Sequence, residues 1–568
     1  NSSAPPEVSI PLGKVQGEWR TSYDGRQYAA FLGIPYAKPP VANLNTPPEV
    51  NSPLGKVQGE WKTSYDGRQY ASFLGIPYAK TPIGNLRFED PQPIEPWIGV
   101  WNATQAYTCI QYPLGQQGDI TGSEDCLYVN VFIPTTEHQQ LDVVVHIHGG
   151  GFISGNGLAF LDPKYIMDRD IAFVTFNYRL GVLGFLSTED QALPGNYGLK
   201  DQVLALKWIQ QNIASFGGNP NSVTLTGFSA GAASVHYHYF SPLSKGLFHR
   251  GWSISGVATD EWALSVNPSK RTKKLAGVVG CPTASSKDLV ECLRTRPASL
   301  LIDKAMQVSD FPLLTPFAPT LDKVAREPFI PEHPYKLLLK KNFLDAPWIT
   351  SVARNETMFM NRICQDILQE LNEKWTELAP YILHSEGLIG KNDILNKIRE
   401  FYFGKEAITS NTDDKLEKML TDNMFKINGE LMAKLQAKNG KSPVYFYLFN
   451  YDQGQNGFMD FFVPDRRWPG VSHGDDLVYC FGGMITKTLS ESDTRLKNAC
   501  LDMLFSYAKH GVPSFEGVDW LPTKGDELTF LNITSPDDIK LQTTRDLTSN
   551  GKFWKDIKSL KHKLQDEL

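Results

Sequence analysis

The stretch "SVTLTGFSAGAASVHYHYF", Ser222–Phe240, joins a strand-like run to a helix-compatible run through the tight sequence "GFSAG". Small residues on either side of Ser229 let a strand and a helix approach each other without a Cβ clash. A sharp turn of this kind projects the serine hydroxyl above the edge of a sheet. The alternative interpretation is an ordinary glycine-rich turn between strand and helix, because Gly-x-Ser-x-Gly is by itself a loose pattern.

A second match to the same pattern, "GVSHG" around Ser472, has a different setting. It follows "PDRRWP", where Pro469 and the paired arginines argue against a core strand. Only the first match has a strand before it and a helix after it. The sequence therefore predicts Ser229, and not Ser472, as the exposed nucleophilic hydroxyl.

Three consecutive glycines end another strand-like run in "HIHGGGF", His146–Phe152. Such a turn presents bare backbone N–H groups in a concavity, which is what a developing oxyanion requires. The alternative is a merely flexible turn at a strand end. The predicted oxyanion donors are the N–H groups of Gly150 and Gly151, together with that of Ala230 after the serine.

Short β-rich runs alternate with longer helical runs from about Asp125 onward. The strand-like runs "CLYVNVFIP", "LDVVVHIHG", "IAFVTFNYR" and "SVTLTG" are rich in β-branched and aromatic residues. The run "NYGLKDQVLALKWIQQNIASFGG" has apolar residues at helical spacing. This alternation predicts an α/β fold, a large and mostly parallel central sheet with helices on both faces. The charged, helical stretch from Cys364 to Lys438 predicts a helical layer over the C-terminal edge.

Composition excludes several classes of function. The chain has 568 residues, 41% of them hydrophobic, and a formal net charge of -6. That charge gives no basic field for nucleic acid, and no apolar run approaches the length of a membrane span. The first residues, "NSSAPPEVSIPLG", lack a charged-then-apolar signal segment, which suits a mature chain. No cofactor and no metal are expected.

The chain repeats its own beginning. "GRQYAAFLGIPYAK" starts at Gly25 and "GRQYASFLGIPYAK" at Gly67, and the two copies keep one offset from Pro5/Pro47 to Leu44/Leu86. A solenoid needs about three or more units, and no third copy follows. We interpret residues 1–46 as a redundant duplication outside the core, and residues 47–568 as a single large domain.

Seven cysteines leave at least one unpaired in an oxidising compartment. Cys109/Cys126 and Cys281/Cys292 are close in sequence and lie in Pro-, Gly- and polar-rich surroundings, which suits two local disulfides. The other three cysteines lie in helical or apolar contexts and are interpreted as buried thiols; they are Cys364, Cys480 and Cys500.

Several long motifs occur in a fixed order along the chain. They are "FLGIPYAKTPIGNLRF", "SEDCLYVNVFIP", "HGGGF", "NYGLKDQ", "FGGNPNSVTLTGFSAG" and "HGDDLVYCFG". In these motifs the chain resembles the type-B carboxylesterase and cholinesterase family, insect carboxylesterases above all, from about Pro47 to the C-terminal region. The resemblance implies an α/β-hydrolase fold that hydrolyses small-molecule carboxylic esters through a serine, a histidine and a glutamate.

Individual residues can be assigned by this resemblance. Ser229 matches the nucleophile, His473 in "SHGDDL" the general base, and Glu356 in "TSVARNETMF" the acid that orients the histidine. Ser255 in "SISG" matches a serine behind the triad, although a merely structural serine is an equal alternative there. The rival acids are two neighbours of the histidine, Asp475 and Asp476.

The chain departs from the family pattern at three points. Phe228 stands where the family usually has glutamate, so the electrostatics and the pocket wall should differ. Thr357 replaces a glycine and completes a sequon with Asn355, which we expect to be unmodified because the triad acid between them should be buried. The loop between Cys109 and Cys126 has no tryptophan to hold a quaternary ammonium, so choline esters are not expected as preferred substrates.

Three sequons and the last four residues of the chain indicate its location in the cell. Sequons at Asn1, Asn102 and Asn532 suit a secreted glycoprotein, and Asn102 and Asn532 are the glycosylation candidates. The last four residues, Gln565-Asp566-Glu567-Leu568, resemble an ER-retrieval tail, so the chain is placed in the secretory pathway, secreted or in the ER lumen.

The alternative function is a non-catalytic binding or adhesion protein on the same fold. Such relatives typically lose a triad member and carry a membrane span.

Overall fold

The structure, a computed structural model, describes residues 4–10, 13–31, 46–113, 118–308, 317–462 and 470–565. The chain divides into two compact units, Asn1–Thr46 and Pro47–Leu568. Three features of the sequence lie outside the described residues: the sequon at Asn1, the segment "PDRRWP" and the last three residues of the retrieval-like tail. Within the described ranges, every helix is too short or too polar to cross a lipid bilayer.

The strands of the described residues form four sheets. In chain order they are β1 Glu7–Ile10, β2 Gly13–Gln16, β3 Glu18–Thr21, β4 Gln27–Ala30, β5 Glu49–Ser52, β6 Gly55–Gln58, β7 Glu60–Thr63, β8 Gln69–Pro77, β9 Val100–Asn102, β10 Tyr128–Pro134, β11 Leu141–Ile147, β12 Ile171–Phe176, β13 Gly218–Phe228, β14 Arg250–Ile254, β15 Trp348–Ala353, β16 Val444–Phe449, β17 Leu528–Ser535 and β18 Asp538–Thr544. The first unit contains the pairs β1–β2 and β3–β4. The second contains a three-stranded sheet, β5-β6-β9, and one large sheet.

The large sheet has 11 strands in the order β18-β17-β16-β15-β14-β13-β11-β12-β10-β8-β7. The strands from β12 through β11 and β13 to β17 run parallel to their neighbours. Antiparallel pairs close both ends, with β10, β8 and β7 on one side and β18 on the other. The predicted α/β fold with a mostly parallel sheet is confirmed.

The helices connect the strands and cover the large sheet. They are α1 Pro163–Ile166, α2 Gly181–Phe185, α3 Tyr197–Asn212, α4 Ala230–Phe240, α5 Pro268–Val278, α6 Ser286–Arg294, α7 Ala298–Gln307, α8 Pro334–Leu339, α9 Met358–Gln365, α10 Leu368–Glu373, α11 Trp375–Ile382, α12 Asn392–Phe403, α13 Asp413–Thr421, α14 Ile427–Asn439, α15 Phe458–Phe462, α16 Asp475–Phe481, α17 Glu491–His510 and α18 Gly551–Gln565. A π-helical turn, Asp422–Lys426, links α13 to α14.

Two hydrophobic cores lie on opposite faces of the sheet. In β11, Val143 and Val145 belong to the core that α3 and α4 cover, whereas Val144 belongs to the core that α16 and α17 cover. Alternate residues of a strand point to opposite faces. The apolar run of β11 is therefore buried on both sides, as expected for a central parallel strand. Helix α14 packs against β15, β16 and β17, within the predicted helical layer.

The cysteines form three disulfides. The structure joins the two pairs that the sequence predicts, Cys109–Cys126 and Cys281–Cys292. The prediction of thiols at Cys480 and Cys500 is wrong, because these residues also form a disulfide. Both are buried, as their helical context indicates, but the packing of α16 against α17 brings them together, and the pattern of one helix does not reveal its neighbour. Cys364 is free, and burial raises the pKa of its thiol to about 12.

Candidate active site

Ser229 occupies a strained turn between β13 and α4. Its backbone has φ 56° and ψ -119°, a conformation that a non-glycine residue adopts only when its surroundings enforce it. The Ser229 N–H donates to the Ile254 carbonyl at 2.9 Å. A Cβ on Gly227 would lie 2.3 Å from the Gly231 carbonyl oxygen, and one on Gly231 would lie 2.0 Å from that of Ile147. Both glycines are therefore required for this turn.

The triple-glycine turn lies directly beside this serine. A Cβ on Gly149 would lie 3.1 Å from the Ser229 Cβ. Gly150 and Gly151 have φ values of 110° and 61°, which glycine adopts without steric cost. The Gly150 carbonyl accepts from the N–H groups of Ile153 and Ser154, at 3.1 and 3.0 Å. This turns the carbonyl back into its own loop.

Three backbone N–H groups in these two turns are the predicted oxyanion donors. In the part of the chain that the structure describes, the N–H groups of Gly150 and Gly151 donate to no protein acceptor. Ala230 is the first residue of α4, where a helical N–H has no acceptor within its own helix. The lack of a competing acceptor supports this prediction.

His473 and Glu356 form a buried hydrogen-bonded pair. His473 Nδ1 lies 2.6 Å from Glu356 Oε2, and the Glu356 side chain is fully buried. The other carboxylate oxygen, Oε1, accepts from the Ser255 hydroxyl and from the Ala353 N–H, each at 2.6 Å. Since Nδ1 donates to the carboxylate, Nε2 is left to accept a proton from another group.

Aromatic rings enclose His473. Ring centroids of four phenylalanines lie 4.6 Å (Phe228), 4.8 Å (Phe425), 5.7 Å (Phe359) and 6.4 Å (Phe458) from that of the imidazole. Phe228 immediately precedes Ser229, so the histidine lies beside the serine turn. The departure of Phe228 from the family pattern thus places an apolar ring against the imidazole.

The rival acids near His473 have other partners. Asp475 accepts from the N–H groups of Ser472 and Phe458, at 2.8 Å each. Asp476 accepts from the Tyr447 hydroxyl at 2.7 Å. Burial raises the pKa of Asp476 to about 7. The structure thus brings Glu356, and not its rivals, to the histidine.

The serine of the second Gly-x-Ser-x-Gly match, Ser472, lies in a different setting. The Ser472 hydroxyl is buried and has no hydrogen-bond partner among the described residues. Its backbone lies in the segment that carries His473, not on a strand-to-helix turn. The setting that the sequence favours for Ser229 is the one that the structure shows.

Other histidines near the serine are unsuited to proton transfer. Burial lowers the pKa of His146 to about 3 and that of His148 to about 4, so both remain neutral at physiological pH. His148 Nδ1 bonds to the Gly149 carbonyl at 2.8 Å, and its ring stacks on Tyr178 with centroids 4.4 Å apart. His148 therefore supports the glycine turn.

The candidate glycosylation sites differ in accessibility. Asn102 is exposed on β9. Asn532 is half-buried in β17 between two neighbouring strands. Asn355 donates through Nδ2 to Glu417 Oε2 at 2.9 Å, and Thr357 is fully buried. This packing supports the expectation that Asn355 is unmodified.

Sequence reasoning missed the other groups that hold the histidine and the acid. Phe359, Phe425 and Phe458 surround His473 from three separate segments, and no spacing in the sequence relates them. The bond from the Ala353 N–H to Glu356 does have a signal in the sequence. Ala353 is the last residue of the strand-like run that becomes β15, three positions before the acid.

A mostly parallel sheet, a serine on the sharp turn after a central strand, and a buried Glu356–His473 pair in which the histidine comes later in the chain are typical of an α/β-hydrolase. A sequence model described as the Carboxylesterase family matches residues 4–45 and 46–551. The chain therefore belongs to the carboxylesterase family.

Relatives with known names agree with this assignment. The chain is 38% identical to a "Carboxylic ester hydrolase" of Bombus ignitus, over 99% of this chain and 96% of the relative. It is 41% identical to "Esterase FE4" of Myzus persicae, over 94% and 90%, and 37% identical to "Juvenile hormone esterase" of Tribolium castaneum, over 94% and 87%.

A solved structure agrees as well. The crystal structure of juvenile hormone esterase from Manduca sexta, with OTFP covalently attached, superimposes with a TM-score of 0.81 at 28% identity, covering 90% of this chain and all of that one. Family and relatives together make this chain a carboxylic ester hydrolase. The non-catalytic alternative receives no support.

Proposed function

We propose that Ser229, His473 and Glu356 form the catalytic triad of this esterase. The observation that carries the proposal is the 2.6 Å hydrogen bond between His473 Nδ1 and Glu356 Oε2. His473 itself lies beside the strained turn of Ser229, against Phe228. A histidine held by a buried acid beside a serine on a sharp turn is the arrangement of serine hydrolases.

The chemistry proceeds in two half-reactions. In the first, His473 Nε2 accepts the Ser229 proton while Oγ bonds to the ester carbonyl carbon. The carbon–oxygen bond to the alcohol then breaks, and the alcohol leaves with the proton from His473. In the second, a water gives a proton to His473 Nε2 and attacks the acyl carbon. The bond from that carbon to Ser229 Oγ then breaks, Oγ takes the proton back from His473, and the acid is released. Glu356 stabilises the imidazolium in both and keeps no proton.

The N–H groups of Gly150, Gly151 and Ala230 are the proposed oxyanion hole. Donors that are already oriented stabilise the charge that develops on the carbonyl oxygen without reorganising during the reaction. The fixed glycine turn and the helix N-terminus supply such donors. Ser255 is the proposed support of the acid, because its hydroxyl bonds to Glu356 Oε1.

The proposed substrates are uncharged carboxylic esters. Phenyl rings line the surroundings of His473, and the loop closed by Cys109 and Cys126 contains no tryptophan. A phenyl-lined wall that lacks tryptophan, the ring that binds a cation most strongly, favours a neutral alcohol group over a quaternary ammonium. Two relatives are named juvenile hormone esterase. The proposed class of neutral esters is broad enough to include the esters that such relatives are named for.

A matched pair of esters tests this substrate class. Butyrylcholine and 3,3-dimethylbutyl butyrate share their acyl group and their shape and differ in one positive charge. We expect kcat/KM to be at least about tenfold higher for the uncharged ester. An equal or higher value for butyrylcholine would contradict the proposed class, and inactivity of the folded protein toward both would revive the binding-protein alternative.

We also propose that the chain resides in the secretory pathway, secreted or in the ER lumen. Three disulfides in one chain favour an oxidising compartment, and Asn102 is an exposed acceptor. Peptide mass spectrometry of protein from its natural source should find a glycan at Asn102 and none at Asn355. A glycan-free chain with reduced cysteines would contradict this location.

A further inference from the structure

The two copies at the start of the chain fold into the same local structure. In the first copy Glu18 pairs with Ala30, and in the second Glu60 pairs with Ser72. The preceding hairpins also correspond, since β1–β2 and β5–β6 have the same register at the same offset. Because each copy forms these pairs within its own unit, the local sequence alone specifies the hairpins.

Only the second copy is built into the large sheet. Beyond its pairing with β7, β8 pairs with β10, and Ser72 lies opposite Phe132. Tyr70 is 6% exposed there and Phe73 is 1% exposed, whereas Tyr28, the counterpart of Tyr70, is 44% exposed. We call the position beside β10 that β8 and β7 fill the edge slot. The first copy thus carries the same apolar residues, but Tyr28 is exposed and Phe31 is only half-buried.

The side chains that hold the second copy in the edge slot have identical counterparts in the first. Arg68 pairs with Asp170, and its Nε donates to the Thr135 carbonyl at 3.0 Å. Tyr65 stacks on Tyr165 with centroids 4.7 Å apart, and Phe73 packs edge-on against Phe216 at 5.2 Å. The counterparts of the three second-copy residues are Arg26, Tyr23 and Phe31.

The differences between the copies are few. They are Ser9/Asn51, Ile10/Ser52, Arg20/Lys62, Ala30/Ser72, Pro39/Thr81, Val41/Ile83 and Ala42/Gly84. At the buried Ser72 the first copy has the smaller alanine, which the same space accommodates. Thr81 donates to Asp125 Oδ1 at 3.0 Å, a bond that Pro39 lacks. Ser52 Oγ accepts from the Leu54 N–H at 3.2 Å, a bond that an isoleucine such as Ile10 cannot make, and Gly84 has φ 59°, which costs an alanine such as Ala42 more. The second copy is therefore the preferred occupant of the edge slot.

The covalent connection permits the first copy to replace the second in the edge slot. If the first copy filled the slot, the second would become an insertion between Leu44 and Arg87 at the surface. The entropy of closing a flexible loop grows only with the logarithm of its length, so an insertion of this size opposes the exchange weakly. Main-chain pairing to β10 would be the same for either copy, because an added strand binds chiefly through its backbone.

We propose that residues 5–44 are a spare copy of the edge hairpin, which fills the edge slot within the same chain whenever residues 47–86 are prevented from holding it. The second copy normally occupies the edge slot because of contacts such as the Thr81–Asp125 bond and because it connects directly to Arg87. The duplication thereby protects the sheet edge against damage to the second copy.

Four full-length proteins test the proposal: the wild type, Phe31→Asp, Phe73→Asp and the double variant. An aspartate at a buried strand position is incompatible with the slot. Phe31→Asp should leave ester turnover and Tm unchanged, and Phe73→Asp should lower turnover by no more than roughly threefold, because the first copy replaces the second. The double variant should lose activity by at least about 100-fold, a strong departure from additivity.

Hydrogen exchange identifies which copy holds the slot. The peptides are distinguishable by mass through Ala30/Ser72, and in Phe73→Asp the slow amides should move from residues 69–73 to residues 27–31. The proposal is wrong if Phe73→Asp alone is as damaged as the double variant, or if its slow amides stay at residues 69–73. A light-scattering mass above that of the wild type would mean exchange between chains and would overturn the intrachain form.

Discussion

Replacing Ser229 with alanine should lower kcat by about 10⁴- to 10⁶-fold on any ester that the wild type hydrolyses. The change removes the only atom that bonds to the substrate carbon and leaves the glycine turn in place. Alanine adopts the Ser229 backbone conformation at the same steric cost, so Tm should shift little. Steady-state kinetics with thermal unfolding of the same preparation measures both quantities.

The matched control for this variant is Ser472→Ala. This serine lies in the same five-residue pattern, and its buried hydroxyl has no hydrogen-bond partner among the described residues. Its loss should leave kcat within about twofold, since no bond to a buried polar group is broken. Activity that survives in Ser229→Ala but is lost in Ser472→Ala would reverse the assignment of the nucleophile.

Replacing Glu356 with glutamine should lower kcat by about 10³- to 10⁴-fold with little change in KM. A glutamine amide turned toward His473 Nδ1 donates where the carboxylate accepts. The ring then carries its proton on Nε2, the nitrogen that has to accept the Ser229 proton. The amide also leaves the imidazolium without a countercharge. Kinetics of the variant at several pH values measures the loss.

Asp476→Asn is the matched control for the acid. This aspartate is buried near the same histidine and bonds to the Tyr447 hydroxyl, so its replacement changes a carboxylate to an amide in similar surroundings. We expect kcat to fall by less than about tenfold, because no bond to His473 is lost. A larger loss in Asp476→Asn than in Glu356→Gln would identify the rival acid as the functional one.

The fold was predictable because its signals are local. Parallel strands buried on both faces, such as β11 and β13, appear as continuous β-branched runs. Helix α3 appears as a repeat of apolar residues at helical spacing, and the run continues through a 3₁₀ turn, Ile213–Phe216, to paired glycines. The serine turn and the triple-glycine turn were equally visible, because steric demands fix glycine at particular positions of a short segment.

The features that the sequence does not predict depend on contacts between segments that are distant in the chain. Phe425 reaches His473 from a π-helical turn, and Phe359 reaches it from α9, so neither role is encoded near the histidine. Cys480 and Cys500 show the same limitation. Their burial followed from helical context, whereas their bond depends on how α16 packs against α17.

The most direct test of the central claim is labelling with a fluorophosphonate, followed by peptide mass spectrometry. An activated serine beside an oxyanion hole displaces fluoride from such a reagent and keeps the phosphonyl group. We predict one adduct per chain, on Ser229, formed in step with the loss of ester turnover and absent from Ser229→Ala. An adduct on Ser472, or an active enzyme that remains unlabelled at Ser229, would contradict the account.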